Sequence, residues 1–354
     1  NSARYKEMTK EDFFEKIQPH TLLKLNVLKH YLDAYAEIIG RVFTSVAFVD
    51  PYAGIGKYEG NIEGSPLILC QAAKRMLEIE GGKTKKVQYL GNELNSEHLE
   101  ELSKNLENFK DITKLFNMDG KDFLKECLNK YIYDFSKALF FVDPFDYGYL
   151  KEDIDHIFEM CGNTYIKRCS CEVILFLPTS HVYRFKTLTQ YQKINNFINS
   201  YGIEIKKDTS PQKFIEKIRQ NIQNSGKYCA SVELEEKFNT YALFFIGNNL
   251  YGVEKFLEAR DACVRKNVQL SLFSSPDSID YKLMQELEKN TLLNTELYEW
   301  ALKNNFSIKQ LKDFLKQKTV REFVNCKGSS NAYYVDYDHY RGKKNEQVRF
   351  SLRR

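Results

Sequence analysis

The chain has 354 residues, 43% of them hydrophobic and 28% charged, with a net charge of +4 at pH 7. That balance is ordinary for a soluble globular protein, and the length fits one large domain plus a small one. No apolar run reaches the roughly 18 residues of a membrane span and no secretory h-region stands near the start, so neither a membrane protein nor a signal peptide is expected and a cytoplasmic location is.

Residues 1 to 19 are charged. From Thr21 to Ile39 the apolar residues Leu22, Leu25, Leu28, Leu32, Tyr35 and Ile39 recur every three or four positions, which predicts an amphipathic helix beside the first strand. His20 and Lys24, one turn apart at its start, read either as a surface pair near a cap or as groups over a ligand mouth. Ser45 to Gly56 is the centre of the sheet pattern. Val46 to Val49 suit a central strand buried on both faces, Asp50 ends the run, and Ala53-Gly54-Ile55-Gly56 lets the backbone turn sharply. After the loop Lys57 to Gly64, Ser65 as N-cap with Pro66 in the first turn predicts a helix to about Met76. Val87 to Leu90, Thr113 to Phe116 and Ala138 to Val142 read as further strands. Between them lie two helical stripes, Leu99, Leu102, Leu106 and Phe109 behind an Asn95 cap, and Phe123, Leu124, Cys127, Leu128 and Tyr131. Alternating strand and helix periods predict an α/β fold with a doubly wound, mostly parallel sheet.

Each strand ends near a carboxylate: Asp50, Glu93, Asp119 and Asp143. Ligands of open α/β sheets bind outside the carboxyl ends of the strands, so these acids are expected to share one crevice. A dinucleotide fingerprint would need a third glycine leading straight into a helix, but Glu59 stands there and the helix starts only after Gly64. An acidic rim repels a pyrophosphate and suits a cationic ligand bearing ribose hydroxyls and amines, of which S-adenosylmethionine is one.

These residues resemble the class I S-adenosylmethionine-dependent methyltransferases over roughly residues 45 to 260. Asp50-x-x-Ala53-Gly54-x-Gly56 is similar to their first motif, Glu93 to the acid after strand two, Asp119-Gly120 to the adenine-proximal segment, and Asp143-Pro144-Phe145 to the motif after strand four. More narrowly, His20 to Lys24, Asp50 to Gly56, Gly64 to Leu67 and Phe141 to Phe145 resemble the bacterial three-Cys-motif partner proteins, whose name refers to a cysteine-motif protein thought to accompany them. The resemblance implies a Rossmann-like methyltransferase fold with Asp50, Tyr52, Ala53, Gly54, Gly56, Glu93, Asp119, Gly120 and Lys24 around the cofactor. Methyltransferases of base amines carry Asp-Pro-Pro-Tyr after strand four. Here Phe145 replaces the second proline, Asp146 the aromatic, and Tyr147 follows one place later. Asp143 and the Pro144 carbonyl are candidates to hold an amine, and Phe145 or Tyr147 to stack on a base. Asp143-Pro144 as a structural strand end is the other reading.

Glu172 to Leu177 is expected as a fifth strand. A helical insertion of about 179–227 comes next, with helices around Leu188 to Ile198 and Gln212 to Ile222. Tyr228 to Leu234 and Tyr241 to Ile246 read as an antiparallel edge pair, and Val253 to Val264 as a covering helix. A linker near Ser274 to Asp277 divides a domain of residues 1–273 from one of 274–354. In the latter, helices at Tyr281 to Leu287, Glu296 to Leu302 and Ser307 to Leu315 precede aromatic-rich alternating stretches at Ala332 to Tyr337 and Gln347 to Leu352, an order that resembles a winged helix-turn-helix. From residue 301 on, 13 Lys and Arg stand against 5 Asp and Glu, a net +8, which leaves −4 on the rest. Such a basic tail, with Tyr333, Tyr334 and Tyr340 among its cations, points to nucleic acid as a partner. None of the eight cysteines forms a Cys-x-x-Cys pair, and Cys161, Cys169 and Cys171 are poorly spaced for zinc. Reduced thiols and no metal are expected. Two functional classes remain, a methyltransferase acting on or near nucleic acid and a non-catalytic binding module built on the same fold.

Overall fold

The computed structural model describes residues 17–144, 151–162, 169–177, 179, 192–204, 209–236, 239–264, 278–327 and 333–353. The chain divides into two compact units, residues 1–227 with 231–248, and residues 228–230 with 249–354.

In the first unit, helix α1 (Pro19–Gly40) buries Leu25, Leu28, Tyr31, Leu32 and Tyr35. Leu22, expected on that stripe, is 41% exposed. The buried face of the first turn belongs instead to His20, Thr21 and Lys24, so the surface-pair reading of His20 and Lys24 does not hold. Strand β1 (Ser45–Asp50) is buried at every residue. A two-rung hairpin, β2 (Lys57–Tyr58) and β3 (Ile62–Glu63), occupies the loop before helix α2 (Ser65–Glu78). The N-cap of α2 is Gly64, not Ser65, because the Ser65 hydroxyl is turned inward to the Asp50 carboxyl.

Strand β4 (Lys86–Asn92), helix α3 (Ser96–Asn105), strand β5 (Thr113–Phe116), helix α4 (Gly120–Lys130) and strand β6 (Lys137–Val142) continue in alternation. Asn95 caps α3 by accepting from the N–H groups of Glu97 and His98, as its sequence position predicts. Helix α5 (Lys151–Gly162), strand β7 (Ser170–Leu177), helices α6 (Gln192–Ser200) and α7 (Pro211–Asn224), and strands β8 (Tyr228–Glu236) and β9 (Asn239–Gly247) complete the sheet region. The start of the helix expected from Leu188 lies outside the described residues.

The sheet order is β5-β4-β1-β6-β7-β9-β8. β1 runs parallel to β4 and β6, β6 parallel to β7, and β9 antiparallel to β7. This is the expected Rossmann-like methyltransferase arrangement of a mostly parallel sheet with a reversed edge. Successive strands leave β1 first toward β5 and then, from β6 on, in the other direction. The gap between β1 and β6 is therefore the topological switch point, at whose carboxyl end such sheets bind ligands. At the opposite end a buried network fastens α1 to the sheet: Tyr31 donates to Glu172 at 2.6 Å and Lys137 donates to the other Glu172 oxygen at 2.8 Å. Burial and the adjacent Glu172 carboxylate push the Tyr31 hydroxyl pKa well up.

The second unit contains helix α8 (Leu250–Val264), helix α9 (Ile279–Lys289), strand β10 (Leu292–Leu293), helices α10 (Asn294–Lys303), α11 (Ile308–Leu315) and α12 (Lys318–Phe323), strand β11 (Val324–Lys327), a single helical turn α13 (Tyr337–Tyr340) and strand β12 (Arg349–Leu352). Its antiparallel sheet has the order β10-β12-β11 around a core that includes Leu283, Leu297, Leu311 and Phe350. The strand expected at Ala332 to Tyr337 is not one. Tyr334 takes φ +51, and Asp336 caps α13 by accepting from the His339 N–H. β12 pairs instead with β10 and with β11, the latter four residues long and too short to show as a period in the sequence. Ala332 and the linker Ser274 to Asp277 lie outside the described residues. All eight cysteines are free thiols, and among the described residues no His, Cys, Asp or Glu cluster is arranged to hold a metal and no helix is long and apolar enough to cross a membrane.

Candidate functional site

The glycine turn after β1 is held from beneath. Asp50 is fully buried, and its carboxyl accepts from the Tyr52 N–H at 3.3 Å, the Ser65 hydroxyl at 3.2 Å and the Tyr89 hydroxyl at 3.3 Å. Burial pushes its pKa up to about 7; the Tyr52 N–H opposes this and the nearby Asp143 charge adds to it. Asp50 therefore shapes the turn from inside. Because the folded chain keeps the Asp50 proton up to about pH 7 while the unfolded chain releases it near pH 4, the folded state binds more protons across that window. Stability is then highest below the window and falls as pH rises through it. The expected loss from this group is about 3 kcal/mol between pH 5 and pH 8. Urea unfolding at the two pH values should show it, and Asp50→Asn should remove that component; an unchanged slope in the variant would assign the pH dependence elsewhere.

On the ligand side of the turn, Gly54 and Gly56 take φ +64 and +83, conformations that a side chain disfavours. The Gly54 N–H donates to Glu93 at 3.0 Å, and the Asn95 N–H donates to the other Glu93 oxygen at 2.9 Å. Two backbone donors fix the carboxylate while each oxygen keeps acceptor capacity. Asn92, which sequence reasoning missed, ties three loops together. Its backbone carbonyl accepts from the Ala53 N–H, its amide donates to the carbonyls of Pro51 and Met118, and its side-chain oxygen accepts from the Met118 N–H. The signal was available only as a polar residue inside a strand, Leu90-Gly91-Asn92. Asp119 is exposed and caps α4 by accepting from the N–H groups of Lys121 and Asp122. Gly120 opens that helix where a Cβ would lie 2.6 Å from the Tyr52 ring, so glycine lets the ring lie against the helix start.

Across the switch point, the buried Lys24 donates to the half-buried Asp143 in an ion pair, the side chains being 6% and 23% exposed. The ammonium also sits 4.4 Å from the centroid of the Phe176 ring. Burial alone would lower the Lys24 pKa, but Asp143, with Tyr58 and Asp50 behind it, reverses the sign and holds it above the ordinary lysine range. His20 stacks on Tyr241 at 3.9 Å and Tyr241 on Phe176 at 5.7 Å, forming an aromatic shelf beside the pair. Phe176 and Tyr241 lie far apart in sequence and carry no local motif, which hid the shelf. Pro144 is buried, whereas Phe145 and Tyr147 lie outside the described residues. Asp50, Tyr52, Ala53, Gly54, Gly56, Glu93, Lys24 and Asp143 thus gather at the carboxyl ends of β1, β4 and β6.

No family model matches the chain, and no curated protein matches it. Solved structures similar to it include the O-methyltransferase from Bacillus cereus in complex with SAH, at 12% identity over 67% of this chain and 94% of that one with a TM-score of 0.32. The O-methyltransferase TomG from Streptomyces achromogenes in complex with SAM is 9% identical over 66% of this chain and 91% of that one, with a TM-score of 0.34. The human methyltransferase 10 domain containing protein is 14% identical over 66% of this chain and 86% of that one, with a TM-score of 0.33. Nothing about activity follows from likenesses this low, and the site's chemistry rests on its own residues.

Proposed function

We propose that the first unit binds S-adenosylmethionine at the carboxyl end of β1, β4 and β6 and transfers its methyl group to an acceptor on or near nucleic acid. The observation that carries this reading is Glu93 clamped to the Gly54 N–H at 3.0 Å, an acceptor-rich carboxylate fixed beside a glycine turn at the switch point. Glu93 would accept from ribose hydroxyls, Gly54 and Gly56 would let the backbone approach, Tyr52, Ala53, Asp119 and Gly120 would border the adenine, and Lys24 would face the amino-acid carboxylate. When bound, the sulfonium supplies an already activated methyl group. What remains for the chain is alignment. Asp143, whose second oxygen is not the one paired with Lys24, would accept from an acceptor amine together with the Pro144 carbonyl.

The narrower likeness to the three-Cys-motif partner proteins, with a cysteine-motif protein as partner, belongs to the same proposal, as does a reducing, cytoplasmic setting, which the eight free thiols support. For the second unit the proposal is a winged helix that binds nucleic acid, supported by the order α9-β10-α10-α11-α12-β11-α13-β12 and its antiparallel pairing. One observation favours the second reading, a binding module without turnover: Lys24 already occupies the carboxylate that an amine would need. Tritiated methyl transfer to bulk RNA, DNA and protein separates the two. Labelling of one class by the wild type, lost in Asp143→Asn with S-adenosylmethionine binding retained, is expected of the enzyme. Binding with no label in any class would select the module.

A further inference from the structure

The hairpin of the second unit has a face that folding alone does not explain. β11 and β12 pair antiparallel with Lys327 opposite Arg349 and Asn325 opposite Ser351, and the Arg353 N–H donates to the Phe323 carbonyl at 2.8 Å, adding one more rung. Strand alternation sends Val324 and Phe350 into the core, at 3% and 0% exposure. Asn325, Lys327, Arg349 and Ser351 alternate to the other side, where Lys327 and Arg349 are exposed; at the end of the ladder Phe323, the last residue of α12, is 57% exposed and Arg353 is exposed. Like charges directly opposite on an antiparallel ladder weaken it. Among the described side chains no carboxylate pairs with Lys327, Arg349 or Arg353, and the face itself carries no acid.

Resting on the reading of this unit as a nucleic-acid binder, we propose that the β11–β12 face holds a single strand, with an unpaired base stacked on Phe323 and phosphates along Lys327, Arg349 and Arg353. The charge calls for a polyanion, and the ring selects among polyanions. A base offers its flat face to a protein side chain only when it is out of the duplex stack. Asn325 and Ser351, between the charged rungs, are uncharged groups suited to base edges. An acidic peptide would satisfy the cations and leave the exposed phenyl ring without a role.

The test is fluorescence anisotropy on the full chain with labelled oligouridylate of about 16 nucleotides, and with a duplex of the same length, over a series of salt concentrations. Oligouridylate is expected to bind more tightly than duplex. Phe323→Ala should weaken it roughly tenfold with the salt slope unchanged, and Phe323→Tyr, which keeps a ring, should bind like the wild type. Arg349→Gln should reduce the salt slope by about 0.7. Circular dichroism of each variant checks that the fold is kept. Tighter duplex binding that ignores Phe323→Ala, or a Phe323→Tyr as weak as Phe323→Ala, overturns the single-strand assignment and leaves nucleic-acid binding standing. Binding of neither oligonucleotide overturns both.

Discussion

Replacing Asp143 with alanine is expected to lower the unfolding free energy by about 3–5 kcal/mol, because it strands a buried ammonium. The partner substitution should cost less. Lys24→Met leaves a carboxylate whose side chain is 23% exposed and which water can reach, whereas the lysine is 6% exposed and has Phe176 rather than solvent above it. A loss of about 1–2 kcal/mol is expected there, the scale of one charged hydrogen bond. The methionine also keeps most of the apolar stem that lies along the buried face of α1. In the double variant the stranded charge is gone, so the combined cost should fall short of the sum by about 1–3 kcal/mol. Urea unfolding of the four proteins at neutral pH completes the cycle. Equal and additive losses would mean that the two side chains do not act as a pair, and the geometry at the β1–β6 gap would need another explanation.

Gly64→Ala is expected to destabilise the chain by about 1–3 kcal/mol through overpacking and to weaken ligand binding at the turn along with it. A Cβ at Gly64 would lie 2.9 Å from the Gly56 carbonyl oxygen and 3.0 Å from its carbon, and these are backbone atoms that cannot rotate aside. The same two residues are joined by the Gly64 N–H donating to the Gly56 carbonyl at 2.8 Å. Relief therefore moves the loop that carries Gly54 and Gly56. Gly162 is the control, since among the described residues nothing lies within 4 Å of its absent Cβ and its φ is ordinary. Gly162→Ala should stay within about 0.5 kcal/mol of the wild type. Thermal unfolding of both variants checks the order, and a harmless Gly64→Ala would show that the turn has slack.

Much of the first unit was legible because its signals are local. Val46 to Asp50 is a short apolar run closed by an acid and a glycine turn, and its length and flanks mark a buried strand end; the positions of Glu93 and Asp143 after their strands obey the same rule. What stayed hidden depends on residues distant in sequence. Asp50 reads as one of four equivalent acids, yet Tyr89 and Ser65 enclose it and burial raises its pKa, and only the fold brings those hydroxyls there. The sequence left Lys24 and His20 open between a surface pair and groups over a ligand mouth, because the partners that bury them, Asp143, Phe176 and Tyr241, come from β6, β7 and β9 or the residues just after them. In the second unit α8, α9, α10 and α11 were visible through their apolar periods, whereas the short α12 and α13 were not. The strand at Val324 to Lys327 was not, because four residues with one buried side chain make no pattern, whereas the tyrosines after Ala332 imitate one.

The most direct measurement is calorimetric titration of the full chain with S-adenosylmethionine, on the wild type and on Glu93→Gln. Micromolar binding by the wild type, weakened tenfold or more in a Glu93→Gln that melts like the wild type, is the expected result. A folded wild type that binds no S-adenosylmethionine would contradict the assignment of the glycine turn and Glu93 as a cofactor site, and so would a Glu93→Gln that binds as well as its parent.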